Sequence, residues 1–249
     1  MPYLVGGYPD RAGSMAIAGA YVDAGADLVE IGIPYSDPLA DGPVIQEAAT
    51  TALAAGIGTS DVLEVAASIS DRVPVILLAY AGLVVGGDGP DAFAERAVAA
   101  GVCGVVIPDL PLGTDESIRQ ALSAAGLAVI PLVAPTTSPE RRSRILEVAD
   151  GFVYLVSDVG TTGERGSLPP ALPELVDAVS TEAPVPVAVG FGICTPEQAA
   201  EVGRLADGVI IGSKLVSMAG DGDRSLDHLT AFLSETSAAL AGTGRDRLR

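Results

Sequence analysis

Between Asp27 and Gln46 the chain reads DLVEIGIPYSDPLADGPVIQ. Its first part has the pattern of a short buried strand, Leu28-Val29-Glu30-Ile31-Gly32-Ile33, in which every side chain but that of Glu30 is apolar or absent. Burial disfavours the charged form of a carboxylate, so an acid placed there must be neutral or paired. One reading is a structural acid, neutralised by a cation or bonded to backbone. No Lys or Arg occurs between Arg11 and Arg72, so a local cation is lacking. The favoured reading is therefore a working acid/base group, because perturbed carboxylates gather at functional sites. Two more carboxylates, Asp37 and Asp41, follow at once in a loop rich in Pro, Gly and Asp.

The elements that must position these groups are legible as repeating units. Short apolar runs recur, each followed by an amphipathic, Ala-rich segment. Eight candidate strands are Pro2–Val5, Leu28–Ile33, Val73–Tyr80, Gly104–Pro108, Ala128–Ala134, Phe152–Ser157, Val185–Gly190 and Gly208–Gly212. Their near-continuous hydrophobicity is that of parallel strands buried on both faces. Helix starts are marked by Ser138-Pro139-Glu140, by Thr195-Pro196-Glu197-Gln198 with its Thr-x-x-Gln capping-box spacing, and by Thr114-Asp115-Glu116 and Ser60-Asp61. Gly25, Gly101, Gly126 and Gly151 each precede a strand, the usual helix-ending position. Eight strand–helix units in 249 residues favour an α/β fold of the (β/α)8 TIM-barrel type over an open doubly wound sheet. No linker or composition shift splits the chain, so one barrel domain is expected over residues 1–241, with a flexible tail over 242–249.

In such barrels the active site lies in the loops at the carboxyl ends of the strands. The polar residues gather there: Asp37 and Asp41 after the second strand, Tyr80 after the third, Asp109 after the fourth, and Tyr154 running into a Gly-punctuated loop over 157–167 that reads either as a lid or as a flexible connection. The last two strands end in Gly190-Phe191-Gly192 and Gly212-Ser213. Glycines let backbone N–H groups approach a phosphate, and a helix N-terminus favours negative charge. Together they suggest an anion site; Lys214 reads as a surface lysine.

Composition narrows the rest. Hydrophobic residues make up 49% but aromatics only 4%, with no Trp, so Ala, Val, Leu, Ile and Gly must build the interior. A formal charge of −18 argues against nucleic acid and anionic membranes as partners. Two cysteines and one histidine argue against a metal site and a disulfide framework. Cys103, in an apolar run, is expected to be a small core residue; Cys194 opens a loop; His228 is expected on a helix surface. No leader segment and no apolar run of membrane-spanning length is present, so a soluble, cytoplasmic protein is expected.

The run Glu30-Ile31-Gly32-Ile33-Pro34-Tyr35-Ser36-Asp37-Pro38-Leu39-Ala40-Asp41-Gly42-Pro43 resembles the signature of the tryptophan synthase alpha subunit family. Further similarity follows in order at Leu78-Ala79-Tyr80, Val106–Pro111, Phe152–Ser157, Gly190–Ile193 and Gly212-Ser213, covering about residues 2 to 240. The resemblance implies cleavage of indole-3-glycerol phosphate to indole and glyceraldehyde 3-phosphate in tryptophan biosynthesis, a carbon–carbon lyase reaction. It implies Glu30 as general acid/base, Asp41 as the carboxylate that binds the indole N–H, and Tyr154 as the tyrosine beside them. It further implies Tyr3, Tyr80 and Phe191 around the substrate, Thr162 as the lid threonine, and Gly163, Gly192, Gly212 and Ser213 as the phosphate-binding positions. No cofactor is implied in this chain. Pyridoxal phosphate (PLP) belongs to a beta-subunit partner, reached through the Asp37 loop and the 157–168 lid.

The chain departs from the family's pattern in four places. The usual helix before the first strand is missing. The lid reads Gly160-Thr161-Thr162-Gly163, Gly82 stands where Asn is frequent, and Lys214 where a small residue is common. None removes a catalytic carboxylate. The alternatives are a stand-alone indole-3-glycerol phosphate lyase serving secondary metabolism and a non-catalytic regulatory barrel.

Overall fold

The computed structural model describes residues 1–157, 168–190, 192–222 and 225–243. Strands and helices alternate along them. The first half comprises β1 (Tyr3–Val5), α1 (Arg11–Asp23), β2 (Val29–Gly32), α2 (Pro43–Ala54), α3 (Thr59–Ala67), β3 (Val75–Leu78), α4 (Ala81–Val85), α5 (Gly89–Ala99) and β4 (Val102–Val106). Then come α6 (Glu116–Ala124), β5 (Ala128–Ile130), β6 (Leu132–Val133), α7 (Pro139–Leu146), β7 (Val153–Val156), α8 (Leu172–Glu182), β8 (Val187–Gly190), α9 (Pro196–Gly203), β9 (Gly208–Val209), α10 (Ser213–Ala219) and α11 (Ser225–Ala241).

Every strand pairing is parallel, in the orders β1-β2-β3-β4-β5 and β6-β7-β8-β9. The ring closes through a parallel bridge between Pro2 and Ile211, with Tyr3 N donating to Ile211 O at 3.0 Å and Ile211 N to Met1 O at 3.1 Å. The run Ala128–Ala134, expected as one strand, is two. Pro131 has no N–H to give to a ladder and interrupts it, while its carbonyl still accepts from Tyr154 N at 2.9 Å, so the sheet continues. The result is the expected (β/α)8 barrel.

Alternation along each strand sorts the core into two layers. Val29 and Ile31, Val75 and Leu77, Val153 and Leu155, and Val187 and Val189 face outward against the helices. The intervening Ile76, Tyr154 and Ala188 face inward, with Val106, Ile130, Phe152 and Ile210. Cys103 is not the core residue expected: it is exposed. The register of β3 against β4 slips from Val75↔Val102 to Ile76↔Gly104, so Cys103 is the extra residue of a bulge and turns out of the apolar run.

The helix signals act largely as read. Ser138 Oγ accepts from Arg141 N at 3.3 Å, and Pro139 takes the first helical position. Thr195 Oγ1 accepts from Gln198 N at 3.2 Å, but the capping box is not reciprocal in the expected way: Gln198 Oε1 accepts from Cys194 N at 2.9 Å, one residue earlier than the cap. Gly25 has φ +87° and Gly101 +77°, the left-handed values that end a helix at little cost only in glycine. His228 is exposed on α11, as expected. Of the expected tail, 242–249, residues 244–249 lie outside the described ones. Among the described residues no helix is long and apolar enough to cross a membrane.

Candidate active site

Glu30 is the second residue of a four-residue strand whose odd neighbours, Val29 and Ile31, are fully buried in the outer layer. Strand alternation therefore drives its carboxyl into the barrel. Across the sheet it is flanked by Tyr3 on β1 and Ile76 on β3. The side chain is 1% exposed, and Oε1 has no hydrogen-bond partner among the described residues. Burial, followed by the nearby charge of Asp41, pushes its pKa up from 4.5 to about 8. At neutral pH it is a carboxylic acid with a proton to give.

Asp41 comes from the loop after β2, which is tied down on both sides. Tyr80 Oη accepts from Ala40 N at 3.1 Å, and Gln46 Nε2 donates to Asp41 O at 2.7 Å. Gly42 then caps α2, with Pro43 at its first position. Burial raises the Asp41 pKa to about 6, and a hydrogen bond from the Tyr80 side chain opposes the rise. Two neighbouring acids are thus driven apart, one neutral and one ionised near pH 7.

The tyrosines close around them. Tyr3 is 4% exposed, Tyr80 1% and Tyr154 6%. The hydroxyls of Tyr3 and Tyr154 are held well above their ordinary range, first by burial and then by the charges of both Glu30 and Asp41. Glycines at the strand ends make the room. A Cβ on Gly190 would lie 2.7 Å from a Tyr154 ring carbon, and one on Gly32 would collide with the Tyr3 hydroxyl. Two groups received no role from the sequence. Tyr35 stacks on Tyr80 with centroids 4.9 Å apart and planes 16° from parallel. Asp109 Oδ1 accepts from Ala81 N at 2.8 Å, fixing the start of α4 next to Tyr80. Gly82 was the available signal for Tyr35, since a Cβ there would lie 2.6 Å from the Tyr35 hydroxyl. Gly82 clears space for that ring.

Glu30, Asp41, Tyr3, Tyr80 and Tyr154 are therefore brought together. Gly192, with φ +80°, follows β8, while Gly212 and Ser213 start α10. A Cβ on Gly212 would lie 3.7 Å from Tyr3 Cδ1, so this loop lies against Tyr3. Thr162, Gly163 and Phe191, and with them nearly all of the lid, lie outside the described residues. Among the described residues no cluster of three or more His, Cys, Asp or Glu side chains is arranged to hold a metal.

Against known proteins, the family profile described as "Tryptophan synthase alpha chain" matches residues 1–240. The tryptophan synthase alpha chain of Novosphingobium aromaticivorans is 42% identical over 93% of this chain and 90% of its own. That of Microcystis aeruginosa is 45% identical over 94% and 92%. Among solved structures, Mycobacterium tuberculosis tryptophan synthase superposes with a TM-score of 0.89 at 39% identity, covering 96% of this chain and 91% of that one. The alpha subunit from Legionella pneumophila gives 0.85 at 36% identity, over 97% and 92%. With a whole-length profile match and relatives of this identity, the chain belongs to the tryptophan synthase alpha chain family.

Proposed function

We propose that this chain cleaves indole-3-glycerol phosphate to indole and glyceraldehyde 3-phosphate, with Glu30 as the proton carrier and Asp41 as the electrostatic partner of the indole nitrogen. The observation that carries the reading is the pairing of a buried acid, its Oε1 without a partner among the described residues and its pKa near 8, with a second acid near 6 beside buried tyrosines. Protonated Glu30 gives its proton to indole C3, and the ring nitrogen becomes positive. Ionised Asp41 stabilises that charge. The carboxylate left on Glu30 then takes the proton of the glycerol hydroxyl next to the ring. The carbon–carbon bond breaks, its electron pair returns to the indole, and the hydroxyl carbon becomes the aldehyde. One carboxyl serves both transfers and ends protonated, so no external acid or base is consumed.

Tyr154 stands beside the two acids, Tyr3 and Tyr80 shape the indole pocket, and Gly192, Gly212 and Ser213 receive the phosphate; outside the described residues, Gly163 joins the phosphate site and Thr162 and Phe191 the substrate site. The loop carrying Asp37 leaves Leu39 82% exposed. An apolar side chain that far in solvent, a few residues from Asp41, suits a docking surface for a PLP-bearing beta subunit. The direct experiment is indole release from indole-3-glycerol phosphate by the purified chain, repeated with a beta subunit added. Slow release, accelerated about a hundredfold by the partner (about 2.7 kcal/mol of barrier), is expected. No release in either condition would overturn the reading.

The two acids also set the pH profile. Turnover needs Asp41 ionised and Glu30 protonated, so kcat/KM, which reports the groups of the free chain, is expected to form a bell with limbs near pH 6 and pH 8. Activity falls below the lower limb as Asp41 takes a proton, and above the upper limb as Glu30 loses one. A profile that is flat from pH 6.5 to beyond pH 9.5 would show that Glu30 is not the acid.

A further inference from the structure

We propose that the cavity between α6, the interruption at Pro131 and α7 binds a small amphipathic carboxylate, an acid group on an apolar body, held by Arg119 and Arg141. The cavity measures about 460 Å³, within the range of small-molecule sites. None of Glu30, Asp41, Tyr3, Tyr80 and Tyr154 lines it. Its walls are aliphatic: Leu110 and Leu112 from the loop after β4, Val129 and Leu132 beside the proline, Ile145 from α7 and Val148 just past its end. Val148 is 55% exposed, so the apolar wall reaches the mouth.

Two arginines stand in this wall, in a chain whose 32 acids far outnumber its 14 basic residues. Arg11, Arg72, Arg96 and Arg142 each pair with an Asp or Glu. Arg119 and Arg141 have no carboxylate within ion-pair distance among the described residues. Each is instead anchored through one Nη2 to a backbone carbonyl, Arg119 to Leu110 O at 2.8 Å and Arg141 to Leu112 O at 2.7 Å. That anchoring fixes both guanidinium planes while leaving their other donors for a ligand. Arg119 Nε is buried and has no hydrogen-bond partner among the described residues. A carboxylate is the group whose two oxygens match the edge formed by the remaining Nη donors of a guanidinium.

The surrounding charge is consistent with an anion. Arg119 is influenced by Arg141 and by one acid, Glu116, whose Oε1 is occupied by Gly113 N at 3.3 Å. An inorganic phosphate would find donors here but would waste the aliphatic wall, and an alkylammonium would meet two like charges. The occupant the walls and donors jointly fit is a monoanion with a hydrocarbon body.

The test is a titration of the ¹⁵N-labelled chain with sodium octanoate, followed by amide shifts, with octylammonium and inorganic phosphate as controls. Octanoate is expected to shift amides of residues 110–112, 129–132 and 136–148 saturably. Arg119→Met and Arg141→Met are each expected to weaken it at least tenfold. Arg119→Lys, which keeps a charge but loses Nε and the planar fork, is expected to fall between; it and Arg141→Met carry the test if Arg119→Met does not fold. Equal shifts with octylammonium would overturn the proposal. So would phosphate binding as tight as octanoate, or octanoate affinity unchanged in the folded variants.

Discussion

Replacing Glu30 by Gln is expected to abolish indole release while leaving substrate binding nearly intact. Gln keeps the shape of the side chain but can neither give the proton to indole C3 nor take one from the glycerol hydroxyl. General acid/base assistance is worth about 10²–10⁴-fold per positioned group, and here one group serves two steps. Single-turnover assays measure the loss, and calorimetric binding of an analogue lacking the glycerol hydroxyls separates it from affinity. Near-normal turnover in the folded variant would sink the acid/base assignment. The same substitution has a signature in stability. The folded-state pKa of Glu30, about 8, lies above its ordinary 4.5, so between those values the native chain holds a proton that the unfolded chain has released. Native stability from this group is therefore greatest below about pH 4.5 and declines as pH rises through the window to about 8, at about 1.4 kcal/mol per unit. The Gln variant removes that decline. Urea unfolding at pH 5 and pH 8 should show wild type losing several kcal/mol relative to the variant; parallel behaviour of the two would mean Glu30 is not held neutral.

Asp41→Asn is expected to lower kcat by about two to four orders of magnitude, comparable to removing a preorganised charge or donor from a developing transition-state charge. The amide keeps the size and remains within reach of Tyr80, so the loss isolates the negative charge opposite the indole nitrogen. Because the stabilisation is specific to the protonated indole, KM should change much less than kcat. Removing the Asp41 charge also removes one cause of the elevated Glu30 pKa, so the alkaline limb of any residual activity should move down. A loss below tenfold would show that Asp41 does not carry the indole charge.

How far the sequence could be read differs between these residues for physical reasons. Glu30 was visible because one carboxylate in an otherwise apolar strand is conspicuous, and because period-two alternation with Val29 and Ile31 places it opposite the helices. The strand count was visible because parallel strands buried on both faces need near-continuous apolar runs. Ends were less so: Pro131 splits the fifth run, yet its carbonyl keeps the sheet continuous, a distinction set by which backbone group faces which neighbour. Cys103 shows the limit most sharply. Its apolar context pointed to the core, but a one-residue register slip against β3 turned it outward, and a slip depends on two strands at once.

The site divides in the same way. The sequence by itself determined the acids, the (β/α)8 repeat and the family, because residue type, periodicity and a long specific motif are local properties. Only the tertiary structure decided the working state of those acids. Burial of Glu30 beside Asp41, the Tyr80 hydroxyl bonding both Ala40 N and Asp41, and Tyr35 filling the space left by Gly82 all join residues far apart in the chain. A pKa is set by solvent exclusion and by charges a few ångströms away, and chain order records neither.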